Sequence, residues 1–171
     1  MPPLVPAVLL AALVLITPVP ATAAPPLPAA APAAGLWAWP LAGAPPTVSR
    51  RFAPPSTPYG PGHRGVDLAA TPGVPVLAAG DGIVAFAGMV AGRPVVSIDS
   101  PGGLRTTYEP VDPSVAAGQG VARGSPIGSL QPGHAGCPVA ACLHWGLRRA
   151  AVYLDPLALL RPPQIRLLPW E

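Results

Sequence analysis

Val74-Pro75-Val76-Leu77-Ala78-Ala79-Gly80-Asp81-Gly82-Ile83-Val84-Ala85-Phe86-Ala87 holds two strand-length apolar runs, Val74–Ala78 and Gly82–Ala87, split by the turn signal Asp81-Gly82. The same grammar repeats outward from it. Val95–Asp99, Leu104–Glu109 and Leu143–Arg148 are further short runs, with Pro101-Gly102-Gly103 as another break. β-Branched residues recur in Val74–Ala78, Gly82–Ala87 and Val95–Asp99, and no window of a dozen residues keeps a helical period without a proline or glycine interrupting it. The expected fold is all-β, a small antiparallel sheet core or sandwich with little helix. Within it, Gly118–Gly128 reads as a tight loop around isolated Val121 and Ile127. The stretch from Tyr153 to Leu157 reads as one short helical turn docked on the core before the Pro162-Pro163 break.

Two histidine motifs flank this body: His63-Arg64-Gly65-Val66-Asp67 in a Gly/Pro-rich loop and Cys142-Leu143-His144-Trp145-Gly146 in a strand-like run. His63 and His144 offer imidazole nitrogens and Asp67 a carboxylate oxygen, a three-ligand set that suits one Zn²⁺ with a coordination position left open. The bland alternatives are a solvated loop histidine and an aspartate capping a turn. Trp145 alternates with His144 along the run, so it is expected on the opposite surface, packed as core.

The 171 residues suffice for one domain with a real core. Met1–Ala24 carries an apolar run from Ala7 to Ile16 and then Ala21-Thr22-Ala23-Ala24, which reads as a secretory signal peptide. Its n-region lacks Lys and Arg, so an uncleaved anchor is the alternative. A Pro/Ala-rich linker over 25–36 follows, then a β domain over 37–161 and a C-terminal tail over 162–171. The expected location is secreted and cell-wall associated, with no stable membrane insertion after cleavage. Ten arginines against seven acidic residues leave a charge of +3, which suits a polyanionic surface such as a bacterial wall. The arginines are scattered, so nucleic acid is not an expected partner.

Cys137 and Cys142, the only cysteines, admit two readings: a disulfide closing a short loop, or a reduced Cys142 thiolate beside the metal.

Four segments in order carry a family resemblance: Gly62-His63-Arg64-Gly65-Val66-Asp67-Leu68, Val74 through Val84, Thr107-Tyr108-Glu109, and Cys142-Leu143-His144-Trp145-Gly146-Leu147-Arg148. Together, over about residues 47 to 160, they resemble the M23 zinc metallopeptidases, the lysostaphin- and LytM-like peptidoglycan endopeptidases. The resemblance implies a barrel-sandwich-related β core, one Zn²⁺ on His63, Asp67 and His144, and a cleft taking peptidoglycan peptides.

Active members of that family carry two further histidines, as general base and as oxyanion donor. This chain departs at both places. After Tyr108 it continues Glu109-Pro110, and at the first position of the expected His-x-His pair it has Cys142. Glu109 is the candidate substitute base, against a plain ion pair with Arg105 or Arg148. His134 is the candidate electrostatic helper, against a solvent-exposed loop imidazole. Arg64, Tyr59 and Tyr108 are candidate substrate-binding residues, with a solvated surface arginine as the default for Arg64.

Two functions follow as expectations: a secreted zinc endopeptidase acting on wall peptides, or a catalytically silent module that binds peptidoglycan or regulates a partner wall hydrolase. A third class, a biotin- or lipoate-carrying barrel sandwich suggested by Gly80–Val84 and Gly118–Gly128, is excluded by the absence of any lysine.

Overall fold

Eleven strands organise the described residues, 36–57 and 60–161 of a computed structural model, and every strand pair is antiparallel. They are β1 (Val48–Arg50), β2 (Gly65–Ala70), β3 (Pro75–Leu77), β4 (Gly82–Val90), β5 (Arg93–Ser100), β6 (Leu104–Glu109), β7 (Val111–Pro113), β8 (Gly120–Val121), β9 (Pro126–Leu130), β10 (Ala141–Arg149) and β11 (Val152–Leu154). The larger sheet runs β1-β2-β10-β6-β5-β4-β8, with β11 paired to the end of β10, and β3-β9-β7 forms a smaller sheet. The one 3-10 turn among the described residues, Pro156–Leu160, is capped by Asp155, whose carboxylate accepts from the Leu157 N–H at 3.0 Å. The leader at 1–24, the linker at 25–36 apart from Leu36, the tail at 162–171 and Tyr59 lie outside the described residues.

The all-β expectation holds, and the five runs read from sequence all become strands. Three readings change, the first at the C-terminal end, where Tyr153 and Leu154 belong to β11 and the helical turn starts only at Pro156. Gly118–Gly128 is not simply a loop, because β8 forms within it and β9 starts there, its Ile127 and Leu130 fully buried. The pattern Gly-Ser-Pro-Ile-Gly has no alternation to announce a strand; the buried side chains decide it. Likewise the stretch after His63 is a central strand, β2, hydrogen-bonded to β1 on one side and β10 on the other.

Period-2 alternation divides the large sheet into two chemistries. Cross-strand partners share a face, so Val66, Trp145, Tyr108 and Val96, consecutive partners across β2, β10, β6 and β5, form one apolar row, and all four are fully buried. The smaller sheet supplies Val76, Val111, Ile127 and Leu130 to the same core. One residue along, Asp67, His144 and Glu109 are partners across β2, β10 and β6 and form a polar row on the opposite face.

Tyr108 is therefore core rather than substrate-lining. Its hydroxyl accepts from the Ala79 N–H at 2.9 Å and donates to Thr106 Oγ1 at 3.0 Å, and burial pushes its phenol pKa up. Tyr108→Phe strands the buried Ala79 N–H, a loss of about 1–3 kcal/mol. Urea unfolding will show it as a lower midpoint at unchanged slope.

Candidate metal centre

His63 is fixed before its side chain is considered. Its backbone forms a two-bond bridge with Ala53, N–H to carbonyl at 2.7 and 3.0 Å, and its Nδ1–H donates to the Arg51 carbonyl at 2.7 Å. That bond assigns the tautomer, so Nε2 presents a lone pair, aimed at Asp67 Oδ1 at 2.9 Å. His144 Nδ1 lies 2.9 Å from the same oxygen and 3.1 Å from His63 Nε2.

These three atoms sit at mutual distances of 2.9–3.1 Å. A single proton cannot serve all three edges of such a triangle. A cation above it serves all three at once, and ligands about 2.0–2.1 Å from a tetrahedral zinc are roughly 3.3 Å apart, close to the observed spacing. The second carboxylate oxygen, Asp67 Oδ2, is buried with no hydrogen-bond partner. The residues present fit a divalent ion of the nitrogen- and oxygen-binding kind.

With no metal bound, burial alone raises the Asp67 pKa, but hydrogen bonds from His134 and His144, with the charges that the His134 and His63 rings carry when protonated, hold it well below the usual carboxylate range. The carboxylate is thus kept in the form that binds metal.

His134 joins the same cluster. Its Nε2 is 3.2 Å from Asp67 Oδ1, its ring stacks on His144 at 5.4 Å, and the ligand atoms of His63, Asp67, His134 and His144 all lie within 4.8 Å of one another. The exposed-loop reading of this histidine is corrected: its side chain is only 11% exposed. Sequence gave no orienting partner for it, because the partner is Asp67, 67 positions earlier in the chain.

Glu109 shares the polar face with His144 but not the cluster. Its Oε1 accepts from Arg93 Nε at 2.8 Å, an arginine different from either sequence candidate, while Arg105 pairs with Asp99. Arg64 donates from Nη2 to the Gly60 carbonyl at 3.1 Å, and its guanidinium lies 5.5 Å from the Tyr153 ring centroid, in the range of a cation–π contact. Cys137 and Cys142 form a disulfide, Cα–Cα 5.7 Å, which removes the thiolate reading of Cys142. Trp145 faces the core, as expected from its alternation with His144.

One contributor escaped the sequence reading. Gly65 pairs with Gly146 across β2 and β10, on the face that carries His144. A Cβ at Gly65 would overlap the Trp145 carbonyl and come within 2.7 Å of His144 Nε2. Gly65→Ala displaces the imidazole, and zinc affinity is expected to fall about 10- to 100-fold, the range for losing a group that orients a ligand. Competition with a chromophoric chelator measures it.

Residues 61–156 match the family described as Peptidase family M23. An uncharacterized protein of Mycobacterium tuberculosis (strain H37Rv) is 56% identical over 135 residues, 77% of this chain and 54% of that protein, and one from Mycobacterium bovis matches equally. The chain spans about half the length of these curated relatives. Among solved structures, Helicobacter pylori Csd3 superposes with TM-score 0.62 at 26% identity, covering 79% of this chain and 37% of that one. A zinc-containing peptidase from Vibrio cholerae gives TM-score 0.52 at 28% identity, covering 64% and 35%. The catalytic domain of lysostaphin from Staphylococcus simulans gives 0.56 at 23% identity, covering 67% and 92%, a likeness of fold. The matched span holds His63, Asp67, His134 and His144 together, and the chain belongs to peptidase family M23.

Proposed function

We propose that this chain is an exported zinc-dependent hydrolase directed at the peptides of bacterial cell-wall peptidoglycan, with His63, Asp67 and His144 holding one Zn²⁺. The observation that carries this reading is the triangle of three lone-pair atoms at 2.9–3.1 Å. When bound, zinc supplies Lewis-acid polarisation of a scissile carbonyl and activation of water. The chain's own residues do the rest. Arg51 fixes the His63 tautomer through its carbonyl, and the Asp67 carboxylate supplies the negative charge of the site.

Glu109 is the candidate base for proton transfer, on the same sheet face as His144 and tied to the half-exposed Arg93 at the rim. For it to accept a proton at the metal, the Arg93 pair must open. That pair, and the commitment of Cys142 to a disulfide, favour a second reading in which the module binds wall peptides, or a partner hydrolase, without cutting them.

The test loads the chain with Zn²⁺ and measures amine release from crosslinked peptidoglycan and from oligoglycine peptides. Release that disappears in His63→Ala and Glu109→Gln supports the hydrolase with Glu109 as base. Co-sedimentation with sacculi in the absence of any release supports the silent module.

A further inference from the structure

We propose that His134 is a fourth protein ligand to the zinc, and that the Cys137–Cys142 disulfide is the device that holds it there. This rests on the zinc reading of His63, Asp67 and His144 and extends it. Three imidazole nitrogens and one carboxylate oxygen make a complete four-ligand set, the closed kind of site that leaves no coordination position for a substrate carbonyl.

The geometry that brings His134 in lies in one short segment, residues 131–140, between β9 and β10. The loop carrying it leads from β9 into β10 and is pinned at both ends. The Gly133 N–H donates to the Ala140 carbonyl at 3.2 Å, and Gly133 bridges Ala141. The Cys137 N–H donates to the His134 carbonyl at 3.0 Å, closing a turn. The Cys137–Cys142 bond then ties that turn to β10, two residues from His144 and on the same strand face. Ser49 Oγ lies 3.5 Å from Cys142 Sγ, and Ser49 also donates to the Asp67 carbonyl at 3.1 Å, so the disulfide is docked on the strands that carry the ligands.

The result is a His134 ring stacked on His144 with an interplanar angle of 26° and its Nε2 at the common carboxylate oxygen. A histidine merely lining a substrate groove has no need of such a tether. A ligand arriving from a Gly-rich loop does, because fixing that loop costs about 1–2 kcal/mol per residue of backbone entropy. The short covalent loop removes part of that cost in advance.

The structural consequence is a resting site closed by His134. A substrate carbonyl reaches the metal only when this imidazole leaves.

Zn K-edge X-ray absorption on the oxidised full chain counts the imidazoles directly: three are expected. Loading with Co²⁺ and titrating with azide gives the second measurement. The visible absorption of the wild type should not respond to azide. His134→Ala should retain one Co²⁺ per chain and show an azide-dependent spectral shift, and Cys137→Ser/Cys142→Ser should shift in the same direction. Two imidazoles in the wild type, or a wild-type azide response equal to that of His134→Ala, overturns the inference while leaving the three-ligand site standing. A wild type that takes up no zinc, or a His63→Ala variant that keeps it at wild-type affinity, overturns the underlying reading and this inference with it. The absorption count on the wild type does not depend on any variant folding.

Discussion

Asp67→Asn is expected to lose zinc by more than about a hundredfold in affinity, beyond the 10- to 100-fold range of an outer-shell change. The substitution keeps the side-chain shape and β2 intact but removes the one negative charge among three imidazoles, all of which point a nitrogen at Oδ1 within 2.9–3.2 Å. Whichever way the amide turns, the site loses the charge that offsets desolvation of a buried divalent ion. If the amide nitrogen faces inward, it offers a cation no lone pair, and its N–H donates to the His63 lone pair and occupies a second ligand atom. Equilibrium dialysis with metal analysis reads the loss. Circular dichroism should be unchanged, because Asp67 contributes its backbone to β2 regardless of side chain. Retention of stoichiometric zinc at wild-type affinity would refute the assignment of Asp67 as a ligand.

The largest stability effect is expected from Trp145→Ala, about 3–5 kcal/mol. Trp145 is fully buried among the largest side chains of the core, 6.4 Å ring to ring from Trp39, with Val66 and Tyr108 as its cross-strand neighbours. Removing the indole leaves a cavity between β2, β10 and β6, which the surrounding strands cannot collapse without breaking ladder bonds. Natural domains are stable by about 5–15 kcal/mol, so the variant is expected to sit near the edge of folding. Guanidinium unfolding of the metal-free chain measures it. Trp145→Phe, which keeps an aromatic ring in the same space, should lose distinctly less. Equal losses in the two variants would mean that ring packing is not what Trp145 contributes.

The two predictions concern adjacent rows of one sheet. Shifting one residue along β10, from Trp145 to His144, moves from the apolar core to the face of the His/Asp cluster, so a one-residue slip of register would exchange them. The apolar row Val66, Trp145, Tyr108 and Val96 specifies that register, and the His/Asp cluster inherits its precision from the core behind it.

Much of this was legible from residue order alone. Turn signals and short apolar runs between Val74 and Arg148 implied an antiparallel β body, and the His63, Asp67 and His144 set implied a metal site. Trp145 was readable as core because alternation is a property of any strand. What the sequence could not carry were strands without a pattern and side chains whose partners lie far along the chain. β2 and β9 hold few β-branched residues and became visible only through what they bury. Glu109 found Arg93, and Tyr108 spent its hydroxyl on Ala79 inside the core, choices made by neighbouring strands and invisible to local spacing. Gly65 mattered because its missing Cβ is the space the His144 ring uses.

The sequence by itself determined which donor atoms this protein has for a metal, since residue type sets ligand chemistry. Only the tertiary structure decided how many of them meet. Asp67 is the common point of His63, His134 and His144, and a disulfide-closed loop brings in the histidine that local sequence leaves in solvent. Convergence of that kind depends on strand register and chain tethering, which act through space rather than along the chain.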